Sequence, residues 1–471
     1  MIPAINYNQM REFSMKHLIT VICVICSLLT GTAYADKIAI IGGGASGLIS
    51  AWLLEKNHEV TLYESQGRLG GHANSIEINV DGSPVVIEAG AEYFNVTFYP
   101  MFTRILRHYN IPLKYFNLVT NFYETNGKRQ IILPPYHDGK IEWVSLTPAN
   151  ISRSVQLHNV IQEGRKLLTS HDTNVTLEEF IATLKVSNDF KANLLYPFMA
   201  AAWGISLNDV RDFSAYNVIN YLAKGSDTKK DQWLEVEGGT QKYIDAVYHS
   251  LENAQVKLNA HVTQIGRNGS RYTVKTADGV VQEYDQLIFA TGANVASELL
   301  GTLPETTDIS ILLSKIRYYD TKIAIHGDPR FMPPNKKDWR IINIRYDGYH
   351  SAMTMYKNWK SSKPIFKTWL TYDVRSPSDK NGPMPENIYA MVYYKHPIVD
   401  KNYFEVQSAI RQLQGKRQLW FVGNWTYDSD SHESAISSAV EIAKKLASDS
   451  ERLRILQGTH NRNITNEQSH P

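Results

Sequence analysis

The chain has 471 residues, with 49 lysines and arginines against 47 aspartates and glutamates, and 43% of it is hydrophobic and 20% charged. That length suits about three average domains or one large discontinuous unit, and the composition excludes a disordered, collagenous or multi-span membrane protein. The near-cancelling charge removes the electrostatic case for a nucleic-acid binder, so partners are expected among small molecules.

At the N-terminus, Lys16 and His17 precede an apolar run from Leu18 to Leu29, and Ala33-Tyr34-Ala35 follows before Asp36. This pattern predicts a secretory signal cut after Ala35 and hence a periplasmic or secreted protein, anchored to the membrane if the signal stays uncut. The run is shorter than the roughly 20 residues of a membrane span. No comparable stretch follows, so the mature chain is expected to have no transmembrane span. Both cysteines, Cys23 and Cys26, lie inside the run. The mature chain therefore has no means of forming a disulfide, a thiol nucleophile or a thiolate metal site. The 15 histidines include no HExxH pair, and no metal site is expected.

From Lys37 the pattern becomes strand, turn, helix. Lys37 to Ile41 is a continuous apolar run, Gly42 to Gly47 is a Gly-rich turn, and Leu48 to Lys56 carries apolar residues at helical spacing. In such a turn Gly42 permits the tight bend, Gly44 lets backbone approach a pyrophosphate, and Gly47 lets helix and strand pack closely. The free N–H groups of the helix start then face the phosphates. A second strand, Val60 to Tyr63, ends at Glu64, where a carboxylate accepts from ribose hydroxyls. A serine-hydrolase elbow at Ser46 is excluded, because it needs glycine where Leu48 stands.

Arg68-Leu69-Gly70-Gly71-His72 comes next. Together with the Gly-rich turn and Glu64, this segment resembles the flavin-containing amine oxidase superfamily, and within it a branch of predicted FAD/NAD-binding proteins in which histidine replaces the usual arginine. Segments in the same order continue the resemblance over almost the whole mature chain: Glu88 to Asn95, Glu237 to Tyr243, His326 to Pro333, His396-Pro397, and Gly423 to Ala435. The resemblance implies FAD, held non-covalently because no cysteine remains for a thioether link. It places Gly42, Gly44, Ser46, Gly47, Glu64, Arg68, Gly70, Gly71 and His72 at the cofactor, with Val262 meeting the adenine through its backbone. Gly423, Asn424, Glu433 and Ala435 complete the set.

Further along, Leu194 to Trp203 is an apolar run that would form core or line a hydrophobic pocket. Val262 opens an edge, followed by a hairpin with its turn at Asp278-Gly279 and a strand from Leu287 to Ala290. Lys322 falls on a strand where many amine oxidases carry a lysine that reaches the flavin through water. Leu419 to Val422 reads as a buried strand ending at Gly423. Asp430-x-x-Glu433 reads as a capping box opening a helix from about Ser434 to Leu446.

The expected fold is α/β, a discontinuous Rossmann-like FAD-binding domain from residues 36–95, 233–297 and 415–449. An α+β substrate domain, amine-oxidase-like by resemblance, would take residues 96–232 and 298–414, and 450–471 a disordered tail. A single dinucleotide fingerprint favours an oxidase or dehydrogenase over a nicotinamide-linked reductase, with the flavin taking hydride from substrate. Two departures weaken an amine as that substrate. Ser431 stands where an aromatic residue of the amine cage is usual, and Asn424 stands where an acid is. His432, beside them, is read either as a general acid or base or as a packed ring. Two other outcomes stay open: a double-bond isomerase of fatty acyl chains on the same cofactor, and a non-catalytic binder on the same fold.

Overall fold

Continuous apolar strands need cover on both faces, and the first strand shows how this chain supplies it. Lys37–Ile41 lies at the centre of a parallel sheet ordered Gln255–Lys257, Glu59–Tyr63, Lys37–Ile41, Gln286–Phe289, Leu419–Phe421. Ile41 stands opposite Tyr63 on one side and Phe289 on the other, and Ile38, Ala39 and Ile40 are wholly buried. The helix Ala45–Leu54, all ten residues of it buried, packs on this sheet beneath the helix His432–Leu446. It begins three residues earlier than its apolar spacing predicts, because Ala45, Ser46 and Gly47 are small enough to sit against the sheet.

The computed structural model describes residues 35–226, 233–370 and 384–458, and from Lys37 onward they pack as one compact unit. The expected signal segment before Ala35 and both cysteines lie outside the described residues.

A second sheet has seven strands in the order Ile388–Pro397, Tyr318–His326, Phe366–Leu370, Ser351–Tyr356, Ile342–Tyr346, Thr120–Glu124, Gln130–Leu133. One pair in it, Ile342–Tyr346 with Thr120–Glu124, is parallel. Every strand of the parallel sheet comes from residues 36–95, 233–297 or 415–449, and every strand of the seven-stranded sheet from 96–232 or 298–414. Ile325, Ile365 and Val392 pack one face of the larger sheet against the hairpin Ser75–Val80/Ser83–Glu88. Farther along, Met353 and Met355 meet the helices that carry Leu194, Met199 and Val218. Most of the apolar run from Leu194 to Trp203 is thus core, with Phe198, Ala202 and Trp203 partly exposed.

Two expectations are corrected. Residues 451–457, assigned to a disordered tail, form a helix with Leu453 and Leu456 buried in the core of the first sheet. Ser450 Oγ donates to Leu53 O and Arg452 Nη1 to Trp52 O, so two leucines three apart and one arginine dock the segment. The capping box at Asp430 is not formed. The helix starts at His432 with Ser431 as its cap, whose Oγ accepts from Ser434 N at 3.1 Å. Glu433 turns away and caps a different helix, Pro100–His108, accepting from Met101 N (2.8 Å) and Phe102 N (3.0 Å).

Candidate dinucleotide and active site

The Gly-rich turn has the sterics its sequence demands. Gly42 has φ +109°, and a Cβ there would lie 2.8 Å from Ala290 O. A Cβ on Gly47 would run into the carbonyl oxygen of Gly42, whereas one on Gly44 would meet nothing within 4 Å. Two glycines therefore serve packing, and the third leaves open space over the first turn of Ala45–Leu54, where Ser46 sits and the leading N–H groups have no partner within the helix. A pyrophosphate fits such a place.

Glu64 is fixed beside this space. Its Oε2 accepts from Gly43 N (2.6 Å) and its Oε1 from Gln66 N (2.8 Å), and the carboxylate keeps lone pairs for ribose hydroxyls. Ala260 N donates to Glu64 O at 2.8 Å, which brings Val262, the first residue of its hairpin, alongside the acidic strand end. Gly70 N donates to Gly43 O (2.8 Å), and a Cβ on Gly71 would sit 3.1 Å from Gly44 Cα, so the two glycine turns touch. Arg68 secures the second turn, donating to the carbonyls of Gly71 (2.9 Å), Leu69 and Ala73 (both 3.3 Å). It shapes the turn from behind.

At the far end, Gly423 has φ +134° and its N–H donates to Ser438 Oγ (2.9 Å). Asn424 donates to Asp430 and accepts from Trp425 N, and Ala435 closes the first turn of the helix above through Ser431 O (3.2 Å). Between the two ends, the exposed and partly exposed residues around His72 mark a candidate cavity. His72 is exposed, and Tyr93, Tyr99, Tyr319, Asp430 and His432 keep partly open surface. His72 lies 4.6 Å from the Tyr394 ring and 5.2 Å from His396, whose Nδ1 is 3.9 Å from Asp430 Oδ2.

The protein packed around His72, with the nearby His396 second, lowers it below its ordinary value. Burial alone would raise Asp430, but the nearby His396 and the hydrogen bond from Asn424 hold it below its ordinary value. His432 is pushed down to about 4 by burial, its Nε2 lies 2.8 Å from the Tyr243 hydroxyl, and its ring packs edge-on against Phe102 at 4.7 Å. The structure thus gives His432 the surroundings of a packed, neutral ring.

Lys322 is not brought to the cavity. Thr321 stands opposite Tyr394 and Ile323 opposite Val392, which sets the inner face of the strand. Lys322 alternates to the other face with Ala324 and His326, opposite Leu370 and the exposed Tyr393. The lysines on the inner side are Lys367, opposite Ile325, and Lys357, and both are buried against Glu92. Sequence reasoning passed over them. The one available signal was that Ile365, Lys367 and Trp369 share a face whose other members are apolar.

A buried neutral histidine makes stability depend on acid. His326, fully buried with Nε2 at 2.7 Å from Thr368 Oγ1, is held at about 4 mainly by burial, like His432. The unfolded rings protonate near about 6.5, so the stabilisation is complete above that pH and is lost as pH falls toward 4. For His326 the loss is about 3 kcal/mol, with a smaller contribution from the less buried His432. Urea unfolding followed from pH 7 to pH 4.5 should show this decline, and His326→Gln should flatten it. An unchanged slope in the variant would contradict the assignment.

A family model described as flavin containing amine oxidoreductase matches residues 45–382. Coproporphyrinogen III oxidase of Staphylococcus aureus is 21% identical over 387 residues, covering 73% of this chain and 79% of that protein. The fold is similar to that of the CLA-producing fatty acid isomerase from P. acnes, with TM-score 0.65 at 18% identity over 88% of this chain and 99% of that one. It is similar also to putrescine oxidase with bound putrescine, with TM-score 0.64 at 14% identity over the same shares of the two chains.

Proposed function

The chain belongs to the flavin-containing amine oxidoreductase family, and from that premise we propose that this FAD-dependent oxidoreductase acts on a C–H bond of a largely apolar substrate. Bound FAD supplies the two-electron acceptor. The open space over Gly44, the pinned Glu64 and the cavity at His72 support one continuous cofactor site, from Val262 and Glu64 through Gly42, Gly44, Ser46, Gly47, Gly70 and Gly71 to Gly423, Asn424 and Ala435. In that site Arg68 and Glu433 act indirectly, one by shaping the glycine turn and the other by joining the helix at His432 to its neighbour.

The observation that carries the apolar reading is the cavity wall. Tyr93, Tyr221, Trp203 and Tyr319 form a connected aromatic lining: Trp203 and Tyr221 rings lie 5.1 Å apart, Tyr319 donates to Trp203 O at 2.7 Å, and Trp369 packs on Gly204. The two carboxylates nearest this wall, Glu92 and Asp430, are committed to buried lysines and to Asn424. At Glu92 a substrate ammonium would have to break such a pair to be held, whereas Asp430 Oδ2 has His396 Nδ1 at 3.9 Å beside it. The protein's residues would accordingly orient an apolar chain and exclude water while hydride leaves it.

A second reading, a double-bond shift without net redox change, is supported by the same lining and by the likeness to the P. acnes isomerase. The leader pattern from Lys16 to Ala35 supports an exported site of action, and no helix among the described residues is long and apolar enough to cross a membrane. Anaerobic addition of unsaturated fatty acids and of polyamines to the yellow protein tests the proposal. Bleaching by the lipids with a product two hydrogens lighter is expected, and an isomeric product without bleaching would support the second reading. Bleaching by amines alone would overturn both.

A further inference from the structure

Six large apolar side chains stand out to solvent within a stretch of twenty residues: Tyr136 and Ile141, Trp143 and Leu146, Ile151 and Val155. Exposed apolar residues scattered singly need no explanation, but a cluster of them marks a surface made to be covered. Each pair comes from a different element and shares one side of it. Tyr136 and Ile141 stand opposite each other across the hairpin Tyr136–His137/Lys140–Ile141, Trp143 and Leu146 lie three apart on the 3₁₀ turn Trp143–Leu146, and Ile151 and Val155 lie four apart on the helix Pro148–Ser170.

These elements are fastened together by polar groups that point inward. Ser145 Oγ accepts from Ile132 N and donates to Ile132 O (both 2.8 Å), Asn150 Nδ2 donates to Gln130 O and Val144 O (both 2.7 Å), and Glu142 N donates to Pro135 O (2.8 Å). Ser145 and Asn150 are thus buried while Trp143 is 73% exposed and Tyr136 64%, the reverse of the ordinary order. The rim is mainly basic. Arg340 pairs with Glu142 and donates to Lys337 O (2.7 Å), which brings Lys336 and Lys337 beside Trp143, and Lys140 stands on the hairpin itself. On the helix side Gln156 Oε1 accepts from Ser187 N (2.6 Å), bringing Lys185 near Val155. All four lysines are exposed. Against them stand Asp138, which accepts from Asn117, and the half-buried Asp338, while Glu142 is taken up by Arg340 and His137.

We propose that this patch seats the protein on an anionic lipid surface, with Tyr136, Ile141 and Trp143 entering the interface and the four lysines meeting lipid phosphates. Trp and Tyr suit a boundary that is apolar on one side and wet on the other, and a lysine stem lies along apolar surface while its ammonium stays in the headgroups. A second copy seated on the same patch would bring two basic rims together, which like charge opposes. The helix Pro148–Ser170 packs through Val160, Ile161 and Gly164 on the helix Ala215–Ser226, which carries Tyr221 of the aromatic wall. Lipid would therefore lie against the lobe that supplies that wall. Docking itself needs no flavin and stands apart from the redox reading.

Co-sedimentation of the full chain with vesicles tests the proposal, comparing phosphatidylcholine alone with phosphatidylcholine mixed with phosphatidylglycerol. Binding to the mixed vesicles is expected, with quenching by brominated lipid that Trp143→Phe reduces. Tyr136→Ser with Trp143→Ser should weaken binding roughly tenfold or more, since two exposed rings are lost from the interface. Lys336→Gln and Lys337→Gln should each cost roughly fivefold, and only where phosphatidylglycerol is present. Ile311→Ser, 61% exposed on the helix Thr307–Leu313 beside the parallel sheet, should change nothing. The substituted side chains are exposed, so thermal unfolding of every variant should match the parent. Absence of binding, or binding that survives the loss of Tyr136 and Trp143 and so uses another part of the chain, overturns the proposal. A dimer in vesicle-free solution that Trp143→Ser dissolves would give the patch to a second copy and overturn it equally.

Discussion

Alanine at Gly47 is expected to strip FAD from the protein and destabilise it by about 3 kcal/mol, the upper end of overpacking penalties. The new methyl group would strike the carbonyl oxygen of Gly42 and lie 3.0 Å from Ala290 Cβ, and neither neighbour is the far end of a flexible side chain. The strand Lys37–Ile41 and the helix Ala45–Leu54 would have to separate, which opens the buried core and displaces the helix start from the phosphates. Gly44→Ala is the informative contrast. Its methyl group meets no protein atom within 4 Å, so stability without cofactor should change by less than about 0.5 kcal/mol. It would nevertheless occupy the space that backbone leaves to a pyrophosphate, and flavin retention should drop. Thermal unfolding of the flavin-free proteins, set beside flavin absorbance after gel filtration, separates the two effects. Full flavin content in Gly47→Ala would contradict the assignment of this turn.

The second large effect is expected at Glu92. Burial would raise its carboxyl, but the charges of Lys357 and Lys367 hold it down to about 2, so it is ionised wherever the protein is folded. Glu92→Leu leaves Lys367 at 3% side-chain exposure without that ion pair, while Lys357 retains Glu235. Breaking one side of a buried pair costs about 3–5 kcal/mol. Adding Lys367→Met to Glu92→Leu should recover most of the loss, because the stranded ammonium is removed with its partner. In the single variant the loss should shrink at high pH, since a buried lysine whose folded value lies below its unfolded one favours the folded state increasingly as pH rises. Chemical denaturation of the two variants at pH 7 and pH 9.5 checks both points. A double variant as unstable as the single one would show that Glu92 acts by packing rather than by charge.

These two sites differ in how far they could be read from the sequence. The Gly42, Gly44 and Gly47 spacing, the strand ending at Glu64 and the Gly70-Gly71 turn are legible because their physics is local. A backbone with φ near +109° or a helix pressed on its preceding strand permits glycine and little else, whatever the rest of the chain does. The parallel sheet was legible for a similar reason, since its short runs are apolar on both faces. Segment order even carried the FAD reading across inserts of more than a hundred residues.

What the tertiary structure decided is which side chains meet across those inserts. Lys322 and Lys367 are both lysines on strands of one sheet, and strand alternation within each segment does not say which face of the sheet is inner. The packing of Ile325 and Ile365 on the hairpin of Ile78 and Ile87 chose it, turning Lys367 in and Lys322 out. Glu433 looked like half of a local cap and instead caps a helix more than three hundred residues earlier in the chain. Leu453 and Leu456 looked like tail and found a core. Local sterics are written residue by residue, but the partner of a buried charge or an apolar face is set only when distant segments share one interior.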